Sequence, residues 1–128
     1  TLPNVSQTVI LTRMEGRTPV PEKEQIEALA AHGATMVIFL SAGQLERLSA
    51  RLIAGGYAPE TPAAIVYKAT WPDEKVIRTT VKDLAPAAAR EGVTKTALIT
   101  VGGFLGDEYD RSKLYDPAFT TGFREASR

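Results

Sequence analysis

The sequence predicts a single α/β domain: a mixed β-sheet of about five strands flanked by helices. Short β-branched or apolar runs alternate with segments of helical period, and two of those runs lie close enough to form a hairpin. A chain of 128 residues suits one domain and can bury about two-thirds of its unfolded surface. Apolar residues at 44% and charged residues at 23% are ordinary for a folded protein. No internal repeat, low-complexity tract or linker divides the chain.

The first strand is placed at Gln7 to Leu11, a β-branched stretch that runs into a loop stiffened by Pro19 and Pro21. A helix over about 21 to 32 follows. Pro21 suits its opening, Glu22 and Glu24 its positive end, Ile26, Leu29 and Ala30 share a face, and His32-Gly33 stops it. Met36 to Leu40 is continuously apolar, as expected of a strand covered on both faces, and Ser41 with Gln44 offers a capping box. In the next helix Leu45, Leu48, Leu52 and Ile53 form one stripe, Glu46, Arg47 and Arg51 fall away from it, and Gly55-Gly56 ends it. Ala63 to Lys68 and Lys75 to Thr80 read as strands joined through Trp71-Pro72-Asp73-Glu74, a hairpin that makes the sheet mixed. Asp83 to Glu91 is an alanine-rich helix that must begin near Asp83, because Pro86 is tolerated only in a first turn. Gly92 closes it, Ala97 to Val101 is the last strand, and Gly102-Gly103 leads into a polar, aromatic tail.

Fifteen basic and fifteen acidic side chains cancel, so there is no global positive field to favour nucleic acid or anionic lipid, and neither partner is expected. The absence of cysteine removes disulfides, thiolate catalysis and thiolate-bound zinc, and the lone His32 builds no histidine metal cage. Apolar runs fall far short of a membrane span, and the start shows no basic-then-apolar leader pattern, which makes the cytoplasm the expected compartment.

Each candidate site has a plain structural alternative. Gly102-Gly103-Phe104-Leu105-Gly106-Asp107 follows a strand as a phosphate loop does, but its spacing differs from the dinucleotide fingerprint and no amphipathic helix follows, which favours a simple strand exit. Asp107, Glu108 and Asp110 are read as solvated acids rather than a hard-cation site. His32, a formal candidate for a general base, is explained by its helix end. Arg13 and Arg17 flank a rigid loop just after a strand, a placement suited to bidentate carboxylate recognition or, equally, to surface ion pairs. Ala69 at a strand end lets a flat ligand approach backbone or merely relieves a tight turn, and Leu40 lines a strand end or belongs to the core. No activated Ser/His/Asp set, thiol or acid pair is evident. Transfer of an activated methyl group tolerates that lack, since a sulfonium carries its own leaving group and the protein need only align donor and acceptor.

Four stretches are more specific: Thr8 to Glu22 (Thr8-Val9-Ile10-Leu11-Thr12-Arg13-Met14-Glu15-Gly16-Arg17-Thr18-Pro19-Val20-Pro21-Glu22), Val66 to Lys75, Arg78 to Leu84, and Arg111-Ser112-Lys113-Leu114-Tyr115-Asp116 with Gly122-Phe123-Arg124. Together they resemble the carboxy-terminal half of the precorrin-4 C(11)-methyltransferases, tetrapyrrole methylases of cobalamin synthesis. The resemblance implies that residues 1–128 form the C-terminal domain of a two-domain S-adenosylmethionine-dependent enzyme converting precorrin-4 to precorrin-5. The N-terminal domain with the glycine-rich donor loop is absent from this chain.

The resemblance further implies that Leu40, Ala69 and the backbone of Ala97, Leu98 and Ile99 line the donor, and that Thr12, Arg13 and Arg17 face a macrocycle bearing several carboxylates. It also implies a homodimer and an inactive isolated half that exposes apolar surface. The alternatives are a cobalt-precorrin-4 methyltransferase, a tetrapyrrole methylase acting at another ring position, and a non-catalytic ligand-binding or dimerisation module. No residue is assigned as catalytic acid or base, and no metal is expected.

Overall fold

The computed structural model describes residues 5–105. Five strands form one sheet: β1 (Val9–Arg13), β2 (Thr35–Ser41), β3 (Pro62–Tyr67), β4 (Lys75–Thr80) and β5 (Thr96–Val101), arranged in space as β1-β2-β5-β3-β4. β1 and β2 are parallel, whereas the β2–β5, β5–β3 and β3–β4 pairs are antiparallel. The expected hairpin and mixed sheet are both present.

Three helices connect parallel strands: α1 (Ile26–Ala30) joins β1 to β2, α2 (Leu45–Gly55) joins β2 to β3, and α3 (Leu84–Arg90) joins β4 to β5. The third crossover moves across the sheet in the opposite sense but between strands of opposite direction. The right-handed crossover preference therefore puts all three helices on one face. Burial follows that prediction. Met36, Ile38 and Leu40 of β2, Ile65 of β3, Ile77 of β4 and Ala97, Ile99 and Val101 of β5 are buried with Ile26, Leu45, Leu48, Leu52 and Leu84 in one core.

Among the described residues, the continuous apolar run of β2 is thus covered by helices on one face only, and Phe39 on the other face is 52% exposed. The expected cover on both faces is not supplied by the described helices, because they cannot distribute themselves over two faces in this topology.

Other boundaries shift for local reasons. The first strand runs over Val9–Arg13 rather than from Gln7, since pairing with β2 begins at Val9 opposite Thr35. The helix expected over 21 to 32 is broken: Glu22–Glu24 is one 3-10 turn, Gln25 is extended at φ −67° and ψ 153°, and α1 starts at Ile26. Glu22, Lys23, Glu24 and Gln25 carry nothing to bury, so no packing holds that turn in line with the helix. Gly33 at φ 61° and Gly92 at φ 73° follow α1 and α3 in the left-handed conformation that stops a helix.

Gln44 donates from Nε2 to the Glu15 carbonyl at 3.0 Å, and Ala42–Gln44 forms a 3-10 turn before α2. Ile53 sits at the rim of the α2 stripe, 36% exposed, while Leu45, Leu48, Ser49 and Leu52 are buried. Pro86 is the third residue of α3, as a first-turn proline requires.

Candidate functional site

The strand directions gather the candidate residues at one end of the sheet. β1, β2 and β3 finish there and β4 and β5 begin there, so Arg13, Leu40, the turn after Tyr67, and Ala97 fall along a single rim. Open α/β sheets bind ligands outside such strand ends. Leu40 and Ala97 are register partners, both about 95% buried, and the Ala42 N–H donates to the Lys95 carbonyl at 3.1 Å, tying the exit of β2 to the entrance of β5.

The turn after β3 is strained at the position of interest. Lys68 at φ 52° and Thr70 at φ 71° are non-glycine residues in the left-handed region, one on each side of Ala69. Such conformations cost about 1–3 kcal/mol each and persist only where neighbours impose them. Here Trp71 N–H donates to the Lys68 carbonyl at 3.0 Å, Lys68 Nζ pairs with Asp73 Oδ2 at 2.6 Å, and Thr70 N–H donates to Glu74 Oε2 at 3.3 Å. The Lys68–Asp73 hydrogen bond favours the charged form of both, raising the lysine and lowering the aspartate. Ala69 itself is exposed. A small side chain is therefore presented on a strapped, strained turn, where a flat ligand has room to approach.

The pairing of β3 with β5 stops at Val66 opposite Leu98, so Ala97 lies beyond that ladder on its β3 side. Its backbone is the part of β5 best placed to meet a ligand. Leu98 is half-buried on the sheet face away from the helices, opposite Phe39 and Val66. Ile99 lies deeper, fully buried and in register with Ile38 and Ile65 on either side. It fixes the position of β5 more readily than it touches a ligand.

At the β1 corner of the same rim, a groove is lined by Leu11, Thr12, Arg13, Val20, Pro21, Glu24 and Phe39. Thr12 is half-buried and donates from Oγ1 to the Arg13 carbonyl at 3.4 Å. Arg13 reaches the Thr18 and Pro19 carbonyls at 3.4 Å each, long contacts that pin the loop and leave the guanidinium exposed. Arg17 is exposed and, among the described residues, makes no ion pair or hydrogen bond, so the surface-ion-pair alternative has no partner there.

A device not foreseen from sequence anchors this loop from below. Arg51 of α2 forms a two-pronged contact with Glu27 of α1, Nε to Oε1 at 2.7 Å and Nη2 to Oε2 at 2.8 Å, and its Nη1 bonds Glu15 Oε1 in the loop after β1. Arg47 adds a weaker pairing to Glu15 at 3.7 Å. The arginine side chain is 14% exposed. Its hydrogen bond to Glu27 holds that carboxyl below its ordinary value, and the two glutamates raise the arginine. These residues are 24 and 36 positions apart, a separation at which periodicity gives no signal.

His32 is exposed at the end of α1, its N–H donating to the Leu29 carbonyl. It borders a separate concavity with Ser6, Gln7 and Thr8 at the opposite end of β1, remote from the rim. Among the described residues no three His, Cys, Asp or Glu side chains cluster as metal ligands, and no helix is long and apolar enough to cross a membrane. The acids Asp107, Glu108 and Asp110 and the tail motif from Arg111 lie outside the described residues.

Comparison with known proteins gives this rim a context. Residues 1–85 match the model of the Tetrapyrrole (Corrin/Porphyrin) Methylases. A cobalt-precorrin-4 C(11)-methyltransferase of Methanocaldococcus jannaschii is 52% identical over 129 residues, spanning 100% of this chain and 50% of that protein. A precorrin-4 C(11)-methyltransferase of a Sinorhizobium species is 42% identical, spanning 97% and 49%. The X-ray structure of a cobalt-precorrin-4 methyltransferase of cobalamin biosynthesis superposes with a TM-score of 0.78 at 50% identity, covering 82% of this chain and 44% of the other. The chain spans about half the length of the curated relatives it matches. On the strength of the family match and of this agreement in sequence and fold, the chain belongs to the tetrapyrrole methylase family.

Proposed function

We propose that this chain is the carboxy-terminal half of an S-adenosylmethionine-dependent methyltransferase that methylates C11 of precorrin-4 in cobalamin biosynthesis. The observation that carries the reading is agreement with precorrin-4 C(11)-methyltransferases over essentially the whole chain but only half of each relative. The identity of 52% to the relative named for the cobalt-bearing substrate, against 42% to the one named for the metal-free form, favours cobalt-precorrin-4.

In this reading the donor lies against the rim, between this domain and an amino-terminal half. The Leu40 side chain, the exposed Ala69 turn and the backbone of Ala97 and Leu98 form one wall, with Ile99 holding β5 in place. An apolar and backbone-rich surface of this kind fits an adenosyl group and leaves the reactive centre to be aligned rather than attacked. The S-adenosylmethionine sulfonium supplies a methyl already bonded to its leaving group. Thr12, Arg13 and Arg17 receive the carboxylate-bearing macrocycle at the β1 groove, and the Arg51–Glu15 contact keeps their loop fixed. Alignment of this kind is worth about 7–11 kcal/mol of barrier in favourable cases, which suffices without an acid or base from this half.

A cytoplasmic homodimer is the accompanying expectation. Joining the chain to its amino-terminal half and measuring methyl transfer to precorrin-4 and to its cobalt complex tests the reading. Transfer by the joined protein with none from the isolated chain supports it, and no transfer to either substrate refutes it.

A further inference from the structure

Two large apolar side chains stand open beside a guanidinium. Leu11 is 70% and Phe39 52% exposed, and with Val20 and Pro21 they line the groove that also holds Arg13 and Glu24. Exposed apolar residues scattered singly need no explanation, but these are gathered in one concavity of about 500 Å³. Concave sites with mostly apolar walls and a few polar groups are how proteins hold organic ligands.

The sheet fixes where these groups stand. Arg13 is the register partner of Phe39 across the parallel β1–β2 pair, and Leu11 lies two residues back along β1, on the same face as Arg13. Strand geometry puts the Arg13 backbone about 4.8 Å from that of Phe39 and about 6.6 Å from that of Leu11. The three side chains therefore form a small triangle, apolar at two corners and cationic at the third. The facing wall is held as well: Arg13 bonds the Thr18 and Pro19 carbonyls just before Val20, and Pro21 is fixed at φ −55° and ψ 149°. Glu24 lines the same groove and, among the described residues, forms no ion pair with Arg13. An acid at that wall repels a carboxylate, which leaves the Arg13 corner to receive one.

Such a triangle suits a ligand with a flat apolar ring and carboxylates on short arms: the ring covers Phe39 and Leu11 while an arm reaches Arg13. We propose that Phe39 and Leu11 are the platform for the ring of the carboxylate-bearing macrocycle, binding residues in addition to Thr12, Arg13 and Arg17. The inference rests on the assignment of this groove to that substrate. It deepens the assignment by drawing affinity from the ring as well as from the carboxylates, with the Phe39 ring supplying an aromatic contact beyond the area it buries.

The test uses the chain joined to its amino-terminal half and reads binding apart from turnover. Affinity for cobalt-precorrin-4 is followed by the absorbance of the macrocycle, affinity for S-adenosylhomocysteine by calorimetry, and association state by sedimentation velocity. Wild type is compared with Phe39→Thr, Leu11→Thr and Phe39→Tyr, since threonine keeps strand propensity while removing apolar surface. The expected result is macrocycle affinity at least tenfold weaker in Phe39→Thr, at least threefold weaker in Leu11→Thr and within twofold of wild type in Phe39→Tyr, with S-adenosylhomocysteine affinity unchanged throughout. Unchanged macrocycle affinity in Phe39→Thr overturns the proposal. Equal loss of affinity for both ligands assigns Phe39 to the packing of the two halves, and loss of self-association in Phe39→Thr assigns it to a contact between copies; either result also overturns the proposal. Leu11 lies on the edge strand β1, so should Phe39→Thr not fold, unchanged macrocycle affinity in Leu11→Thr overturns it instead. A wild type that binds the macrocycle without methylating it refutes the methyl-transfer reading alone, whereas one that binds no macrocycle removes both.

Discussion

Gly55→Ala sets two effects against each other at the α1–α2 contact. Alanine is favoured over glycine by about 1 kcal/mol within a helix, but Gly55 is the last residue of α2, so only part of that gain is available. Against it, a Cβ at this position would stand 2.6 Å from Ala30 Cβ, 2.7 Å from the Glu27 carbonyl oxygen and 2.9 Å from Glu27 Cα. Comfortable carbon contacts begin near 3.5 Å, so α1 must withdraw by close to an ångström. Two of the three obstacles are backbone atoms and cannot rotate aside. Ile26 and Ala30, which α1 buries almost completely, would lose packing as it withdrew. Overpacking of this kind costs about 1–3 kcal/mol, leaving a net loss of about 1–2 kcal/mol and a melting temperature lower by about 5–10 °C. Thermal unfolding followed by far-ultraviolet circular dichroism reads the effect. An unchanged or raised melting temperature would refute the reasoning, because helix propensity would then outweigh a clash that the backbone could absorb.

The same contact positions Glu27 for Arg51, so Arg51→Met should cost about 2 kcal/mol and combine non-additively with Gly55→Ala in urea unfolding; strict additivity would separate the two features. Because Arg51 depresses the Glu27 carboxyl, the stability that this ionised group contributes is present above its unfolded pKa and lost as pH falls through the lower folded value. The wild type should accordingly show a steeper loss of melting temperature on acidification below about pH 4.3 than Arg51→Met, and parallel profiles would argue against it. The Tyr57 hydroxyl donates to the buried Ala34 carbonyl, and Tyr57→Phe should cost about 1–2 kcal/mol in the same unfolding assay; a neutral result would show that the carbonyl finds another donor. In the protein joined to its amino-terminal half, Arg17→Ala should weaken tetrapyrrole binding about tenfold with little change in turnover, and unchanged affinity would return Arg17 to surface electrostatics.

What sequence could and could not reveal follows the range of the interactions involved. The β3–β4 hairpin is legible because two strand-forming runs lie only seven residues apart, with Trp71-Pro72-Asp73-Glu74 as the turn between them, and α3 is legible because Pro86 dictates where it starts. The 21–32 helix fails at Gln25, where local propensity allows helix but Glu22, Lys23 and Glu24 offer nothing to bury. That the described helices cover only one face of β2 has a topological cause: apolar runs do not disclose on which side three crossovers place their helices.

At the rim, Leu40, Ala69 and Ala97 are recognisable individually as strand-end residues, and antiparallel pairing brings them together. The left-handed turn at Lys68 and Thr70 carries no glycine to announce it. Nor does the Arg51–Glu15–Glu27 contact have any sequence signature, since it depends on how two helices and a loop meet.

The most direct test of the donor wall is calorimetric titration with S-adenosylhomocysteine of the chain joined to its amino-terminal half, comparing wild type with Ala69→Leu. A larger side chain on the Ala69 turn should intrude on the adenosyl group and weaken binding at least tenfold, about 1.4 kcal/mol, while leaving the melting temperature of the ligand-free protein unchanged. Wild-type affinity in Ala69→Leu would place the donor elsewhere and contradict the account.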